Sequence, residues 1–95
     1  MTERVLTKHP QGKIGVNIER AKYEQIKSAI TKALARDGDL SYTALNRAVE
    51  KQLKGKFDGK IPWYVETVKL DLEARGVVTR VPKTSPQLLR LKKQA

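Results

Sequence analysis

Cysteine is missing from the 95 residues, and histidine occurs once, at His9. Without cysteine the chain has no disulfide and no thiolate metal ligand, which suits a reducing compartment, and we expect the cytoplasm. His9 stands beside Pro10 with no second histidine to share a metal, so we expect a solvated side chain rather than a ligand or a base. We therefore predict no metal and no cofactor.

Long apolar runs are also missing. The runs that occur are a few residues long, far below the roughly 20 that a membrane-spanning helix needs. Residues 1–12 carry charges and have no continuous apolar segment of signal-peptide length. The sequence therefore predicts no membrane partner.

No catalytic constellation is visible. Ser41, Ser85 and the tyrosine hydroxyls lack a recognisable base and orienting partner for nucleophilic catalysis. Gly55, Gly59 and Lys60 do not match the spacing of a Walker loop. We predict that the protein is not an enzyme.

Positive charge is what the chain has in excess. Lysine and arginine number 20 against 10 acidic residues, a net charge of +10. Such a balance favours an anionic partner, with DNA as the expected one and RNA as the variant that composition cannot separate from it. The alternative is that the lysines only keep a small domain in solution.

The periodicity divides the chain into an arm (residues 1–18), a domain (19–91) and a basic tail (92–95). Within the arm, Ile14, Val16 and Ile18 alternate with small or polar residues, which is typical of a half-buried strand. An extended strap lying on the core explains the same pattern. Both interpretations stay open.

Three amphipathic helices are predicted in the domain. The first covers about residues 20–36 and ends at Gly38. Ser41 is the predicted N-cap of the second helix. Pro62 suits the first position of the third, and Gly76 the position just past its end.

Two β-rich runs, VVTRV and LLRLK, follow the third helix and are joined by a loop from Pro82 to Pro86, so we expect a hairpin. Three helices followed by a two-stranded wing, with an extended N-terminal arm, predict an α+β winged helix. The phrases KGKFDGKIPWYVETVKLDLEARG and VVTRVPKTSPQLLRL resemble a small uncharacterised prokaryotic family assigned to that fold. The resemblance implies no established activity. In the wider fold, the third helix commonly enters the major groove and the wing touches phosphate or the minor groove.

The third helix has an unusual composition for a groove reader. Val65, Val68 and Leu72 predict its buried arc, and its outer face is then apolar and flanked by carboxylates, those of Glu66, Asp71 and Glu73. Carboxylates oppose phosphate, so we predict a weak recognition helix. Thr67 and Lys69 are its candidate contacts.

Trp63, Leu70 and Ala74 form the apolar stripe of that outer face. The stripe is either a homodimer or partner surface or a face covered by the arm through Val5, Leu6, Ile14 and Val16. A protein-interaction module is therefore the alternative to nucleic-acid binding.

Basic residues concentrate in the hairpin and tail and in a second group that spans the end of the second helix and its loop. The second group is Arg47, Lys51, Lys54, Lys56 and Lys60, with Glu50 and Asp58 among them. If these groups converge, they make one phosphate-binding surface. The candidate nucleic-acid-binding residues are Lys54, Lys56, Lys60, Thr67, Lys69, Arg80, Lys83, Arg90, Lys92 and Lys93.

Overall fold

A computed structural model describes residues 3–13 and 15–92 of the chain. Its architecture is α+β, with three helices and two small antiparallel sheets. None of the helices in the described ranges has the length and apolar character needed to cross a bilayer. In chain order the elements are β1 (Arg4–Leu6), β2 (Asn17–Glu19), α1 (Arg20–Asp37), β3 (Leu40–Ser41), α2 (Tyr42–Leu53), α3 (Ile61–Ala74), β4 (Val78–Val81) and β5 (Leu88–Leu91).

The helix ends follow from local chemistry. α1 ends where Gly38, at φ 79°, donates its N–H to the carbonyl of Leu34 at 3.0 Å. The predicted cap of α2 is confirmed, because Ser41 Oγ accepts the N–H of Ala44 at 3.1 Å. α3 begins one residue before Pro62, whose missing N–H leaves no helical bond unmade in the first turn.

The core lies between the three helices and the inner face of the second sheet. Val65, Val68 and Leu72 are fully buried, as the periodicity of α3 predicts. They meet the buried stripe of α1, which includes Ile26 and Ile30. This core fixes which face of α3 points outward.

The second sheet differs from the predicted two-stranded wing. β4 and β5 form the expected hairpin, but β3 pairs with the other edge of β5, which gives the order β3-β5-β4. The sheet therefore has three strands. A strand of two residues is too short to show an alternating pattern in the sequence. Leu40 and Ser41 also fit the residues that precede a helix, so the sequence does not indicate a strand there.

The N-terminal arm is a hairpin of β1 and β2. Val5 lies opposite Ile18, and both side chains are buried in the core. Leu6 and Val16 remain exposed, at 63% and 40%. Of the three alternating residues, Ile18 lies in a strand and is buried, Val16 precedes that strand and is exposed, and Ile14 lies outside the described residues.

A buried carboxylate, that of Asp71 in α3, ties the arm to the helices. It is 0% exposed and accepts the backbone N–H of Lys8 at 2.8 Å, the Nε–H of Arg75 at 2.8 and 2.9 Å, and the hydroxyl of Tyr23. Burial, and then the hydrogen bond to Asp71, raises the pKa of Tyr23, so the phenol stays protonated and donates. One carboxylate therefore joins the arm, α1 and the end of α3.

Replacing Asp71 by Asn should destabilise the fold by about 2 to 3 kcal/mol, because the charge that receives all these donors is lost while the shape is kept. Asp39→Asn is the matched control, since it also removes an aspartate–arginine pair, with Arg90, but one at the surface. Urea unfolding of both variants measures the difference. Equal midpoints for the two variants would contradict the importance of Asp71.

Candidate nucleic-acid interface

The hairpin arginines do not share one surface. Opposite residues of paired strands point to the same face, so Arg80, opposite buried Leu89, lies on the inner face of the sheet. Arg90, opposite Thr79, lies on the other face. The structure therefore does not bring Arg80 and Arg90 together on one face of the hairpin.

Each hairpin arginine is also paired with a carboxylate. Arg80 Nε lies 2.6 Å from Oε1 of Glu73, and Arg90 Nη2 lies 2.7 Å from Oδ2 of Asp39. The hydrogen bond from Arg90 lowers the pKa of Asp39, so this carboxylate is ionised at neutral pH. A phosphate would have to displace these partners, which makes both arginines poor contacts.

The remaining hairpin cations stand apart from each other. Lys83 lies in the turn after β4, and Lys92 follows β5 at the opposite end of the hairpin. Both are exposed, but the cleft beside Lys92 also contains Asp39. Lys93 lies outside the described residues. The hairpin therefore presents separated charges rather than a continuous surface.

The second predicted basic group has a different arrangement. Arg47, Lys51 and Lys54, on the last turns of α2 and just beyond it, line a cleft of about 530 Å³ together with Ile61 and Pro62. We call this site the basic cleft. Glu50 is the carboxylate on its wall. Within residues 3–13 and 15–92, no ion pair involves any of the three basic side chains.

The start of α3 closes one end of the basic cleft. Its N-cap, Lys60, makes no side-chain capping bond, and the first helical turn contains no acidic residue. The first backbone N–H groups of a helix have no helical acceptor, and the helix dipole adds positive potential there. Ile61 and Pro62 bring this end of the helix to the cleft wall, so helix and side chains attract the same kind of ligand, an anion.

Aromatic packing holds the loop between α2 and α3. The rings of Phe57 and Tyr64 meet edge to face at 5.0 Å, and Tyr64 meets Trp63 in the same way at 4.9 Å. Gly59 lies against this pair, where a Cβ would come 2.8 Å from the ring of Tyr64. The contact between Phe57 and Tyr64 therefore holds the loop, and we call Phe57, Tyr64 and Trp63 the aromatic cluster.

Two lysines lie next to the aromatic cluster, and a third, Lys56, lines a groove between α1 and α2. Lys22 of α1 places its Nζ 5.6 Å from the centre of the Tyr64 ring. Lys56 belongs to the loop and its carbonyl accepts the side-chain N–H of Gln25, one helical turn from Lys22. Lys60 directly follows Gly59. None of these three lysines belongs to an ion pair in the part of the chain that the structure describes.

The candidate contacts of α3 are largely inaccessible. Thr67 is 9% exposed and Lys69 is 8% exposed. Lys69 Nζ lies over the ring of Tyr42 at 5.2 Å and 3.8 Å from Oε2 of Glu73. Thr67 and Lys69 are therefore too buried to contact a nucleic acid as predicted.

The acidic flank predicted for α3 is wrong for two of its three carboxylates. Asp71 is fully buried, and the side chain of Glu73 is 6% exposed between Lys69 and Arg80. Only Glu66 is exposed. A helical wheel cannot predict this, since the arm and the sheet that cover these positions belong to distant parts of the sequence.

The apolar stripe of α3 is exposed at one end only. Trp63 is 45% exposed, whereas Leu70 and Ala74 are half-buried. Ala74 lies beside the arm, where it shares a concave surface with residues 6–13. The arm thus reaches the stripe near Ala74 but leaves Trp63 exposed, and Leu6 and Val16 are themselves exposed rather than packed on it. A homodimer through this face stays a prediction.

His9 fits its expected role as an ordinary side chain. Its Nδ1 accepts the N–H of Gln11 at 3.1 Å within the arm. Among the described residues, no group of three or more histidines or carboxylates is placed to hold a metal ion.

A comparison with protein families identifies the chain. The model of a family of unknown function, DUF6958, matches residues 4–89. The chain belongs to this family. The DUF6958 match runs from β1 into β5, so it includes the basic cleft, the aromatic cluster and most of the hairpin. Searches of curated proteins and of solved structures found no match.

Two features of the site escaped the sequence reasoning. Arg47 and Lys51 belong to the second basic group that the sequence indicates but are not among the candidate contacts, and neither is Lys22. Their spacing did contain a signal, because Arg47, Lys51 and Lys54 follow each other at steps of four and three, which places them on one side of a helix. The ion pairs of Arg80 and Arg90 had no comparable local signal.

Replacing Gly59 by Ala should destabilise the protein by about 2 to 3 kcal/mol, because a Cβ at φ 141° meets the ring of Tyr64. Gly55→Ala is the matched control: it also has a positive φ, 75°, but open space around it, and should cost about 1 kcal/mol. Urea unfolding followed by circular dichroism compares them. Equal losses would show that the aromatic cluster does not hold the loop.

Proposed function

We propose that the protein is a winged-helix module that binds nucleic acid through phosphate contacts, and that the basic cleft and the adjacent loop make these contacts. The order of the elements supports the winged-helix part, with three helices followed by the β4–β5 hairpin. The third strand, β3, lies between α1 and α2 and completes a small sheet against the helices. The absence of cysteine keeps the cytoplasm as the proposed location.

One observation carries the proposal: three basic side chains without an ion pair in the described ranges lie together on one cleft, whereas each of the two hairpin arginines is held by a carboxylate. The hairpin arginines are engaged by Asp39 and Glu73, whereas Arg47, Lys51 and Lys54 line one cleft without an ion pair among the described residues. An unpaired lysine or arginine that neutralises a phosphate releases cations condensed on the nucleic acid, and this release increases the affinity. Paired arginines must first lose a carboxylate.

The mode of binding that this supports is backbone contact. The outer face of α3 offers buried Thr67 and Lys69 and, toward its end, the neighbouring arm. Sequence readout needs side chains that reach base edges, whereas phosphate contacts need only charge and position. We therefore propose binding with little sequence preference.

Binding rather than catalysis remains the proposed class. The hydroxyl of Ser41 caps α2, and that of Tyr23 is bound to Asp71 inside the core. Both hydroxyls are therefore engaged structurally and away from the basic cleft.

The double variant Lys51→Gln/Lys54→Gln tests the cleft. Each lysine that contacts a phosphate contributes about one unit to the slope of log affinity against log salt, so the slope should fall by about two units. Fluorescence anisotropy with short labelled single-stranded and duplex DNA, between about 50 and 200 mM salt, measures it.

Lys83→Gln/Lys92→Gln is the matched control, because it removes the same two charges from the hairpin. Its slope should stay that of the parent protein. A parent protein that binds neither DNA at low salt would refute the proposed function. A larger loss for the hairpin variant would place the contacts on the wing instead.

A further inference from the structure

Trp63 is a large apolar side chain left at the surface at the start of α3. It is 45% exposed and lies one residue beyond the cleft residue Pro62. Single exposed apolar side chains are common at protein surfaces, so Trp63 indicates a ligand only together with its neighbours. Its neighbours therefore indicate which ligand fits.

The indole ring is held rather than free. Its edge-to-face contact with Tyr64 continues into the contact of Tyr64 with Phe57, and Gly59 packs against both of those rings. A ring fixed in this way loses little conformational entropy when a flat ligand stacks on it. The aromatic cluster thus presents a preformed platform.

The charges beside the platform favour an anionic ligand. Lys22, whose Nζ lies over the Tyr64 ring, and Lys60, which precedes α3, have no ion pair in the described part of the chain. Glu66 is the exposed carboxylate of α3 closest to Trp63 in sequence, one helical turn after it. Asp58 is the other acidic residue of this region and belongs to the loop itself.

We propose that Trp63 stacks on an unpaired base of a single-stranded nucleic acid whose phosphates are held by Lys60 and by the basic cleft. This inference rests on the proposed function and names its partner. Alternating aromatic and basic side chains are the general means of binding single strands, because every base has a face to stack on and every nucleotide a phosphate. A duplex keeps its bases stacked inside, so it cannot use Trp63 in this way.

The fluorescence of Trp63 reports on the interaction directly, since no other tryptophan contributes. The probes are a short oligodeoxythymidine, a short oligouridine and a DNA duplex of equal length, each added to the full chain. Both single strands should quench the fluorescence and the duplex should not. The more tightly bound single strand identifies DNA or RNA as the natural partner.

Variants of Trp63 measure what stacking contributes. Trp63→Ala should weaken single-strand binding roughly 5- to 100-fold and leave duplex binding unchanged, while Trp63→Phe should retain most of the affinity. Leu6→Ala is the matched control, because Leu6 is also apolar and exposed but belongs to the arm. It should bind both probes as the parent does.

The outcomes separate this inference from the proposed function. Unchanged single-strand affinity in Trp63→Ala, without quenching in the parent, would refute stacking while salt-dependent binding stands. No binding of any probe at low salt would refute both. A dimer in sedimentation experiments that Trp63→Ala abolishes would assign Trp63 to contact with a second copy and overturn the inference.

Discussion

A single buried charge, the carboxylate of Asp71, constrains the arrangement of the whole chain. An ionised group inside a core is tolerated only when hydrogen bonds replace its water, and here they come from α1, from the arm and from the end of α3. The arm is therefore fixed beside α3 near Ala74. It thus lies beside the C-terminal end of α3, which a protein that reads the DNA groove would leave open. The accessible end of α3 is its N-terminal end, at Trp63.

Ion pairing lowers the effective charge of part of this strongly basic chain. Arg75, Arg80 and Arg90 each lie against an aspartate or glutamate, so these arginines are neutralised, whereas Lys83 and Lys92 of the hairpin have no such partner among the described residues. The cations at the end of α2 and in the following loop face only Glu50 and Asp58. The net charge thus does not show where an anionic ligand would bind. The distribution of ion pairs favours one surface over another as the binding surface.

Much of the fold could be predicted because its causes are local. The helices follow from periodicity, and their ends follow from Ser41, Pro62 and Gly38, each of which acts on its own turn. β3 could not be predicted, since two residues carry no period. The burial of Asp71 was equally hidden, because Lys8 and Tyr23 lie 63 and 48 residues away in the sequence.

The candidate site was predictable only in part, for the same reason. The lysines of the loop stand out in the sequence, but which cations remain unpaired depends on the register of the hairpin and on contacts such as that of Arg90 with Asp39, 51 residues away. Local composition therefore favours the wing as the main binding surface. The ion pairs of the folded chain favour the end of α2 and the following loop instead.

Backbone amide shifts in two-dimensional NMR spectra, recorded while a short single-stranded oligonucleotide is added, test this account most directly. The account predicts that the largest changes fall on residues 47–64 and on Lys22, with little change on residues 78–91. Changes concentrated in the hairpin, with residues 47–64 unaffected, would contradict it.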